Sequence, residues 1–356
     1  MSAAENGFDR FTVTLRGPRV VYGERVAVTE LVAELDQLAA ERVLVIGSAR
    51  ELSARSAVLK PIGDRIVGEF SNVRRHVPHA IAQAATSRAL DLEADCLLSI
   101  GGGSAVGTAK AVALETGLPI VGVPTTYAGS DFTPIYGITD DSVKRTGRSN
   151  QVLPRTVLLD PTLAWDLPLD ITRVSAVNAL AHCVSGVFAA GRNPVTDLLA
   201  AEGAGVIARG LRGVSLPAED SSVARASLAR GAYLAGTVLA HAGGSAHHAI
   251  CHILGGAFDL PHAETHTSVL PASSAFLQER DPRAAERLAV ALGSTELAAG
   301  IAELLAETGA TVRLRDIGMS ATDLPRAAEF FSGRGPGPGV PGMEYKRASA
   351  LLAAAW

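Results

Sequence analysis

The chain has 356 residues, 47% of them hydrophobic and 19% charged, and a formal net charge of −4 at pH 7. A chain of this length exceeds one ordinary hydrophobic core, which predicts two domains. The slight negative charge excludes an electrostatic footprint for nucleic acid, and no uninterrupted apolar run reaches the roughly 18 residues of a membrane span. Three cysteines in apolar surroundings argue against a disulfide framework. The N-terminal stretch lacks a signal-peptide pattern, so we expect a cytoplasmic protein without nucleic-acid or membrane partners.

The first 160 residues alternate between strand and helix patterns. Residues 11–22 read as a short β pair broken at Gly17-Pro18. After it, strands are predicted at 42–48, 66–70, 96–100, 119–123 and 157–160, and helices at 28–40, 50–62, 78–92 and 105–116. Because these strands are almost continuously apolar, they predict a parallel sheet covered on both faces. We therefore expect an α/β domain over residues 1–160.

Beyond Asp160-Pro161 the strand pattern disappears. Helices are predicted at 172–190, 194–211, 221–241, 245–254, 264–279, 282–292, 295–308 and 343–355. The Pro/Gly-rich segment 333–342 is predicted to be a plain connection. The second expected domain, residues 161–356, is therefore all-α.

A glycine run follows one of the predicted buried strands: Gly101, Gly102, Gly103 and Ser104. A turn without side chains lets a phosphate approach backbone N–H groups at the start of a helix, and Ser104 is predicted to be the helix N-cap. A glycine run alone is equally typical of a tight turn, and the spacing is not the G-x-G-x-x-G fingerprint. Thr125 and Thr126, at the end of the next strand, strengthen the prediction, because ligands of open α/β sheets collect at that edge.

Ser48 ends the first buried strand, a position where an acidic residue often holds the ribose of a dinucleotide. Ser48 is neutral and Arg50 lies two residues further on. An additional phosphate on the ribose would not be repelled here, so the sequence leaves the choice between NADH and NADPH open.

Six of the nine histidines fall within residues 241–266. His248 and His252 stand four residues apart, so on a helix both imidazoles project from one face. Gly255-Gly256 is predicted to end that helix, and His262 to return to the same cavity. Imidazole can bind a metal, donate a hydrogen bond to an oxyanion or transfer a proton near neutral pH. We interpret this window as the functional site.

The sequence resembles the iron-type alcohol dehydrogenase superfamily over nearly its whole length. The resemblance implies an N-terminal NAD(P)H-binding domain followed by a helical domain, an architecture shared with dehydroquinate synthase. Its carriers are Gly101-Gly102-Gly103-Ser104, Ala109-Lys110, Pro124-Thr125-Thr126, Gly129-Ser130-Asp131, Asn178, His182, His248, His252 and His262. In that superfamily an Asp and a His four residues apart, with two further His, bind iron or zinc. The corresponding residues here are Asn178, His182, His248 and His262, and His252 matches the histidine beside the nicotinamide.

Two departures from the superfamily pattern stand out: Asn178 replaces the metal-binding Asp, and Gly107 replaces an acidic residue after the glycine turn. These changes, together with segments 126–130, 133–139, 144–148 and 260–266, are similar to the maleylacetate reductase branch. That branch reduces the conjugated double bond of maleylacetate to 3-oxoadipate in aromatic-compound breakdown. Since Asn178 removes the only anionic ligand, we predict that no metal is required. The alternative is that the Asn178 carbonyl oxygen still coordinates an ion.

A cavity without a metal suits an unsaturated keto-dicarboxylate better than an alcohol. Hydride addition to a double bond conjugated with a ketone builds an enolate, which hydrogen-bond donors can stabilise. The predicted donors are His182, His248, His252 and His262, with His252 or His248 on the ketone oxygen. Tyr127 is a further candidate proton donor, although packing is the default for a lone tyrosine. Lys144, Arg145 and Arg148 are interpreted as a solvated loop, with Lys144 as a candidate contact to the cofactor.

Two other enzymatic functions fit the same architecture. A metal-dependent alcohol or polyol dehydrogenase would restore the ion, and a lyase of the dehydroquinate synthase type would use its nicotinamide only transiently. A nucleotide-sensing module explains the sequence least well, because it needs no histidine cluster in its second domain. The apolar composition and the resemblance favour a homodimer.

Overall fold

A computed structural model of the chain describes residues 11–140, 143–216 and 221–356 and, for Val143 and Lys144, the backbone alone. Its strands are, in chain order, β1 (Arg19–Tyr22), β2 (Val43–Ile46), β3 (Ile66–Phe70), β4 (Cys96–Gly101), β5 (Ile120–Pro124), β6 (Ile135–Asp140), β7 (Val143–Arg148) and β8 (Thr156–Leu159). Six of them form one parallel sheet in the order β1-β8-β5-β4-β2-β3. The predicted α/β fold of the N-terminal half is confirmed.

Helices cover both faces of this sheet. They are α1 (Val26–Thr29), α2 (Leu31–Gln37), α3 (Ala49–Ala54), α4 (Ser56–Leu59), α5 (His79–Asp91) and α6 (Gly103–Thr116), with a 3₁₀ turn at Lys60–Arg65. Successive side chains of a strand point to opposite faces, and Val43 and Val45 accordingly pack into one core while Leu44 and Ile46 pack into another. The near-continuous apolar strands therefore follow from burial on both sides.

Two local predictions in this half were wrong. Residues 11–18 form no strand, and β1 is a single edge strand that pairs in parallel with β8. The segment of Lys144, Arg145 and Arg148, predicted as a solvated loop, is instead strand β7 of the antiparallel hairpin β6–β7, although Arg145 and Arg148 are exposed in it as predicted. Gly147 permits this pairing, because a Cβ there would lie 2.4 Å from the Tyr136 hydroxyl across the ladder. The alternation was too weak to indicate a strand from sequence.

The C-terminal half contains helices only, within the part of the chain that the structure describes. They are α7 (Leu169–Val187), α8 (Pro194–Ser215), α9 (Ser222–Ala242), α10 (Ala246–Phe258), α11 (His262–Arg280), α12 (Pro282–Leu292), α13 (Leu297–Glu307), α14 (Leu324–Phe331) and α15 (Tyr345–Ala355). This confirms the all-α prediction, and α14 was not anticipated. Gly255-Gly256 does not end α10, which continues to Phe258 and closes on Asp259 in the left-handed region, at φ 53°.

Residues 282–307 are long and apolar enough, by composition, to be a candidate membrane span, with a mean hydropathy of 1.5. The structure divides this segment into α12 and α13, each of 11 residues. Helices of that length reach about 17 Å, far short of the ~30 Å of a bilayer core. Their buried sides pack into the helical core through residues such as Leu288 and Leu304.

The helical core reaches across the expected boundary at residue 160. Helix α7 is buried along nearly its whole length from Thr172 to Val187. Tyr127 and Phe132 from the loop after β5, and Leu159 at the end of β8, pack into the same core. The division at residues 160/161 stays a prediction.

Candidate active site

A cavity of about 470 Å³ lies where the carboxyl ends of β4 and β5 face the helical half. Its wall brings together sequence-predicted residues from both halves of the chain: Gly103, Ser104, Thr126, Asn178, His182, His248, His252 and His262. The position of the cavity matches the edge at which parallel sheets bind ligands.

The glycine turn between β4 and α6 forms one end of the cavity. Gly101 has φ 142°, and a Cβ on Gly102 would lie 2.9 Å from Thr126 Cγ2, so both positions require glycine. A Cβ on Gly103 would have no protein atom within 4 Å. The first turn of α6 thus faces open space, as a bound phosphate requires. The predicted N-cap was wrong: Gly102 is the N-cap, and Ser104 lies inside the helix.

The remaining predicted cofactor residues follow the ends of two strands, Thr125 after β5 and Ser48 after β2, or lie in the hairpin, as Lys144 does. The Thr125 N–H donates to Gly101 O at 3.1 Å, which joins the ends of β4 and β5. Ser48 caps α3, since its Oγ accepts from Glu51 N at 3.2 Å. Lys144 lies in β7, and its side chain is outside the described residues.

The loop after β5 docks onto α7 and links the two ends of the cavity. Tyr127 N–H donates to Ser175 Oγ at 2.8 Å, and Asn178 Nδ2 donates to Ala128 O at 3.4 Å. Gly129, at φ 75°, approaches so closely that a Cβ there would lie 3.4 Å from His182 Nδ1. The residues that follow the threonine pair are therefore fixed against the helix that carries Asn178 and His182.

Tyr127 itself lies in the core and is not among the residues that line the cavity. Burial raises the pKa of its hydroxyl to about 12, an effect that the nearby Arg225 guanidinium only partly offsets. Packing, rather than proton donation, explains this residue.

Six imidazoles form one cluster beside the cavity. The rings of His182 and His248 stack with centroids 5.4 Å apart, and His252 and His262 stack at 6.5 Å. The other two members are His247 and His266, and the His266 ring lies 4.5 Å from His262 and 5.0 Å from His248. The cluster confirms that the histidine window folds together, except for His241, whose Nδ1 contacts Thr237 O.

Burial keeps most of this cluster neutral. It lowers the pKa of His182 to about 4 and, with the neighbouring imidazoles, that of His247 to about 3. The pKa values of His248 and His266 are also lowered by burial first and by the other rings second. Near neutral pH these four rings therefore offer N–H donors and lone pairs rather than fixed positive charge.

Two chains of hydrogen bonds hold the buried rings. His248 Nδ1 contacts Ser185 Oγ at 2.6 Å, and Ser245 Oγ donates to Ser185 Oγ at 3.0 Å. The second chain of hydrogen bonds consists of residues that the sequence analysis did not single out individually. In it, His247 Nδ1 lies 2.7 Å from Ser273 Oγ, and His247 Nε2 lies 2.8 Å from His266 Nδ1. Helix periodicity could have placed these serines on the histidine faces, but hydroxyls at such spacing are common and carry no specific signal.

The superfamily's metal position has available donor atoms but no anion. Asn178 Oδ1, His182 Nδ1 and His248 Nε2 are buried without a hydrogen-bond partner within the described structure. All three belong to neutral groups, so this set lacks the carboxylate that offsets part of the ion's charge in mixed histidine–carboxylate sites. These residues therefore fit a divalent ion less well than a set that includes a carboxylate.

A second buried group offers metal-ligating atoms within 4.8 Å of one another: His247, Cys251 and His266. The two ring nitrogens in it are already hydrogen-bonded to each other at 2.8 Å. Burial also raises the pKa of the Cys251 thiol well above its usual value, so the thiolate that a metal needs is disfavoured.

Several residues of the cavity wall were not predicted. Arg75 and His76 enter from the loop after β3, Tyr136 from the hairpin, and Glu264 from the first turn of α11. Lys110 is fully buried and its Nζ donates to the carbonyl oxygens of Ser130, Thr133 and Ile135, at 2.7, 2.8 and 2.9 Å. Lys110 thus fixes the chain that leads from the cavity into β6.

The comparisons with known proteins agree with this geometry. Residues 18–161 match the iron-containing alcohol dehydrogenase family, and residues 172–332 match the C-terminal part of the same family. The maleylacetate reductase of Burkholderia cepacia is 43% identical over 320 residues, which cover 90% of each chain, and that of Sphingobium indicum is 41% identical over 310 residues, or 87% of each. The crystal structure of maleylacetate reductase from Agrobacterium tumefaciens superposes with a TM-score of 0.90 at 34% identity, covering 98% of this chain and 99% of that one. The chain therefore belongs to the iron-containing alcohol dehydrogenase family, in which it groups with the maleylacetate reductases.

Proposed function

We propose that the protein is a maleylacetate reductase, which uses NADH or NADPH to reduce the carbon–carbon double bond of an unsaturated keto-dicarboxylate. The observation that carries this proposal is the imidazole cluster, which shares one cavity with the glycine turn and has the neutral Asn178 where the superfamily has an anionic metal ligand. Relatives at about 40% identity that carry this name, over some 90% of the chain, support it.

The cofactor fits the end of the cavity formed by β4, β5 and α6. The backbone N–H groups at the start of α6 and the Ser104 hydroxyl suit the pyrophosphate, and Thr126 suits a ribose. When bound, the reduced nicotinamide supplies the hydride. Ser48 is neutral and caps α3, so this position does not favour NADH over NADPH.

The histidines supply hydrogen-bond donors to the substrate, which accepts the hydride. As the carbon next to one carboxylate takes the hydride, negative charge develops on the conjugated ketone oxygen. An N–H group of His248 or His252 in the cavity wall can donate a hydrogen bond to that oxygen and stabilise the enolate. Proton transfer to the remaining carbon then completes the reduction, and Glu264, which lines the same cavity, or a water molecule admitted with the substrate can supply that proton.

We further propose that no metal is required for this reaction. An alcohol dehydrogenase needs a Lewis acid to favour the alkoxide, whereas an enolate is a weaker base that hydrogen-bond donors can stabilise. The neutral set at Asn178, His182 and His248 fits the second chemistry better. This disfavours both the alcohol dehydrogenase and the dehydroquinate synthase alternatives, which depend on a bound ion.

We also propose that the protein acts in the cytoplasm as a homodimer. All three cysteines are buried and unpaired, which suits a reducing compartment. Light scattering coupled to size-exclusion chromatography tests the dimer, and a monomeric mass would contradict it.

The test follows the absorbance of NADH, and separately of NADPH, on addition of maleylacetate to chelator-treated protein. We expect rapid loss of absorbance with at least one cofactor and 3-oxoadipate as product. A flat trace with both cofactors, or activity that appears only after a metal is added, would contradict the proposal. A parallel assay with simple alcohols and NAD⁺ checks the dehydrogenase alternative.

A further inference from the structure

The structure connects one imidazole of the cavity wall to two hydroxyl groups. Ser245 Oγ donates to Ser185 Oγ at 3.0 Å, and Ser185 Oγ lies 2.6 Å from His248 Nδ1. Ser185 is fully buried on α7, and His248 is 7% exposed on α10. This chain of hydrogen bonds therefore connects α7 with α10 and ends on the His248 ring, which lines the cavity.

The order of donors in this chain determines which ring nitrogen carries the proton. A hydroxyl has one proton to donate and two lone pairs that accept. Ser185 accepts from Ser245, and its own proton is then directed at His248 Nδ1, at a distance typical of a strong hydrogen bond. A neutral imidazole that accepts at Nδ1 carries its proton at Nε2. That Nε2 is buried and has no partner among the described residues.

The backbone holds the same ring from the other side. Gly244 approaches so closely that a Cβ there would lie 3.0 Å from His248 Cβ and 3.2 Å from its Cγ. A side chain at position 244 would push the ring out of place. Ring orientation and tautomer are thus both fixed by residues that do not themselves act on the substrate.

In the neighbouring chain of hydrogen bonds, through His247, the donors and acceptors fix the opposite tautomer. Ser273 Oγ donates to Leu270 O at 3.1 Å, so it accepts from the His247 Nδ1–H. His247 Nε2 then accepts from His266 Nδ1, which leaves His266 Nε2 as a bare lone pair. Two imidazoles with centroids only 5.0 Å apart are therefore held in opposite tautomers.

We propose that Ser185 and Ser245 are positioning residues that lock His248 as the Nε2–H tautomer and so make it the hydrogen-bond donor to the substrate ketone. The role of His248 as donor to the ketone rests on the proposed function, whereas the assignment of its tautomer does not. Removing the Ser185 hydroxyl leaves His248 free to adopt the Nδ1–H form, which presents a lone pair to a developing negative charge. Such a form repels the enolate oxygen instead of stabilising it.

The first measurement reads the tautomer directly. In protein labelled with ¹⁵N-histidine, the two ring nitrogens of each tautomer give distinct NMR signals, and the His248 signals are assigned by their loss in His248→Gln. We expect the Nε2–H form in the wild-type protein and a shift toward the Nδ1–H form in Ser185→Ala. A wild-type His248 protonated at Nδ1 would overturn the proposal, whether or not the protein reduces maleylacetate.

The second measurement reads turnover. We expect kcat to fall about tenfold in Ser185→Ala, or about 1.4 kcal/mol, with the KM for NADH within about twofold. Ser245→Ala should show a smaller loss, and Ser245→Thr, which keeps the hydroxyl, should restore it. Ser274→Ala is the matched control, because it removes a buried hydroxyl on α11 that has no hydrogen-bond partner among the residues that the structure describes. An equal loss in Ser274→Ala, or none in Ser185→Ala, would contradict the proposal.

Discussion

His247 and His266 are hydrogen-bonded ring to ring, Nε2 to Nδ1, at 2.8 Å. Both residues are fully buried, and neither lines the cavity. The pair lies behind the imidazoles of the wall, with the His247 ring 5.7 Å from His248 and the His266 ring 4.5 Å from His262. The inner histidines therefore support the outer ones.

Replacing His247 with leucine should destabilise the protein by about 1–3 kcal/mol, because His266 Nδ1–H and Ser273 Oγ lose their buried partner while the volume is nearly kept. Urea unfolding measures this difference. His79→Leu, at an exposed position on α5, is the control and should change stability by no more than about 0.5 kcal/mol. Equal stabilities for His247→Leu and the wild type would show that the ring pair is not structurally important.

The stability of the protein should fall as the pH drops from about 6.5 towards about 4. Burial lowers the pKa of His182 to about 4 and that of His247 to about 3, whereas both titrate near the ordinary value of 6.5 in the unfolded chain. Below that value the unfolded chain binds more protons than the folded one, so acid favours unfolding. Each such histidine adds a loss of about 1.4 kcal/mol per pH unit.

Urea midpoints measured at several pH values test this dependence. The slope between about pH 6 and about pH 4.5 should decrease in His182→Asn, which cannot take up a proton. An unchanged slope in that variant would mean that burial does not lower the pKa of His182 in the folded protein.

The sequence predicted the parts of the site that depend on local spacing. The glycine turn, the threonines after β5 and His248 with His252 on one helix face all lie where the pattern placed them, because a strand end or a helix period determines each position. The prediction that the histidines of residues 241–266 form one site around His248 and His262 rested only on the high density of histidine in that segment.

The sequence could not predict what depends on contacts between distant elements. Ser185 and Ser245 meet only because α7 and α10 pack together at that point. The hairpin β6–β7 escaped notice because its strands alternate weakly and its pairing depends on Gly147 lying under Tyr136. The sequence left Tyr127 open between proton donation and packing, because its neighbours Thr126 and Ala128 line the cavity while its own side chain turns into the core.

Gly103→Ala should weaken NADH binding without destabilising the fold. A Cβ at this position meets no protein atom within 4 Å, and alanine in a first helical turn is better tolerated than glycine. The methyl group would instead occupy the space that a phosphate needs near the backbone, and we expect the Kd for NADH to rise about tenfold, or about 1.4 kcal/mol.

Fluorescence titration with NADH, together with thermal unfolding, separates the two effects of Gly103→Ala. Gly63→Ala is the matched control, since a Cβ there also meets no atom within 4 Å but the residue lies in the turn before β3, outside the cavity wall. If Gly103→Ala binds NADH as tightly as Gly63→Ala does, the glycine turn does not hold the cofactor.

Asn178→Asp should convert the cavity into a metal site. The substitution puts a carboxylate, beside His182 and His248, in place of a buried amide oxygen that has no hydrogen-bond partner within the described ranges. It thereby supplies an anionic ligand. We expect elemental analysis after zinc loading to find about one ion per chain in the variant and far less in the wild type. Reduction of maleylacetate should fall at least tenfold in the zinc-loaded variant, because an ion bound at His248 Nε2 moves the ring proton to Nδ1 and so removes the N–H donor. Chelation should then restore part of the activity, whereas the same treatment should leave the wild-type rate unchanged. A wild-type protein that binds zinc as tightly as the variant would show that the asparagine does not prevent metal binding.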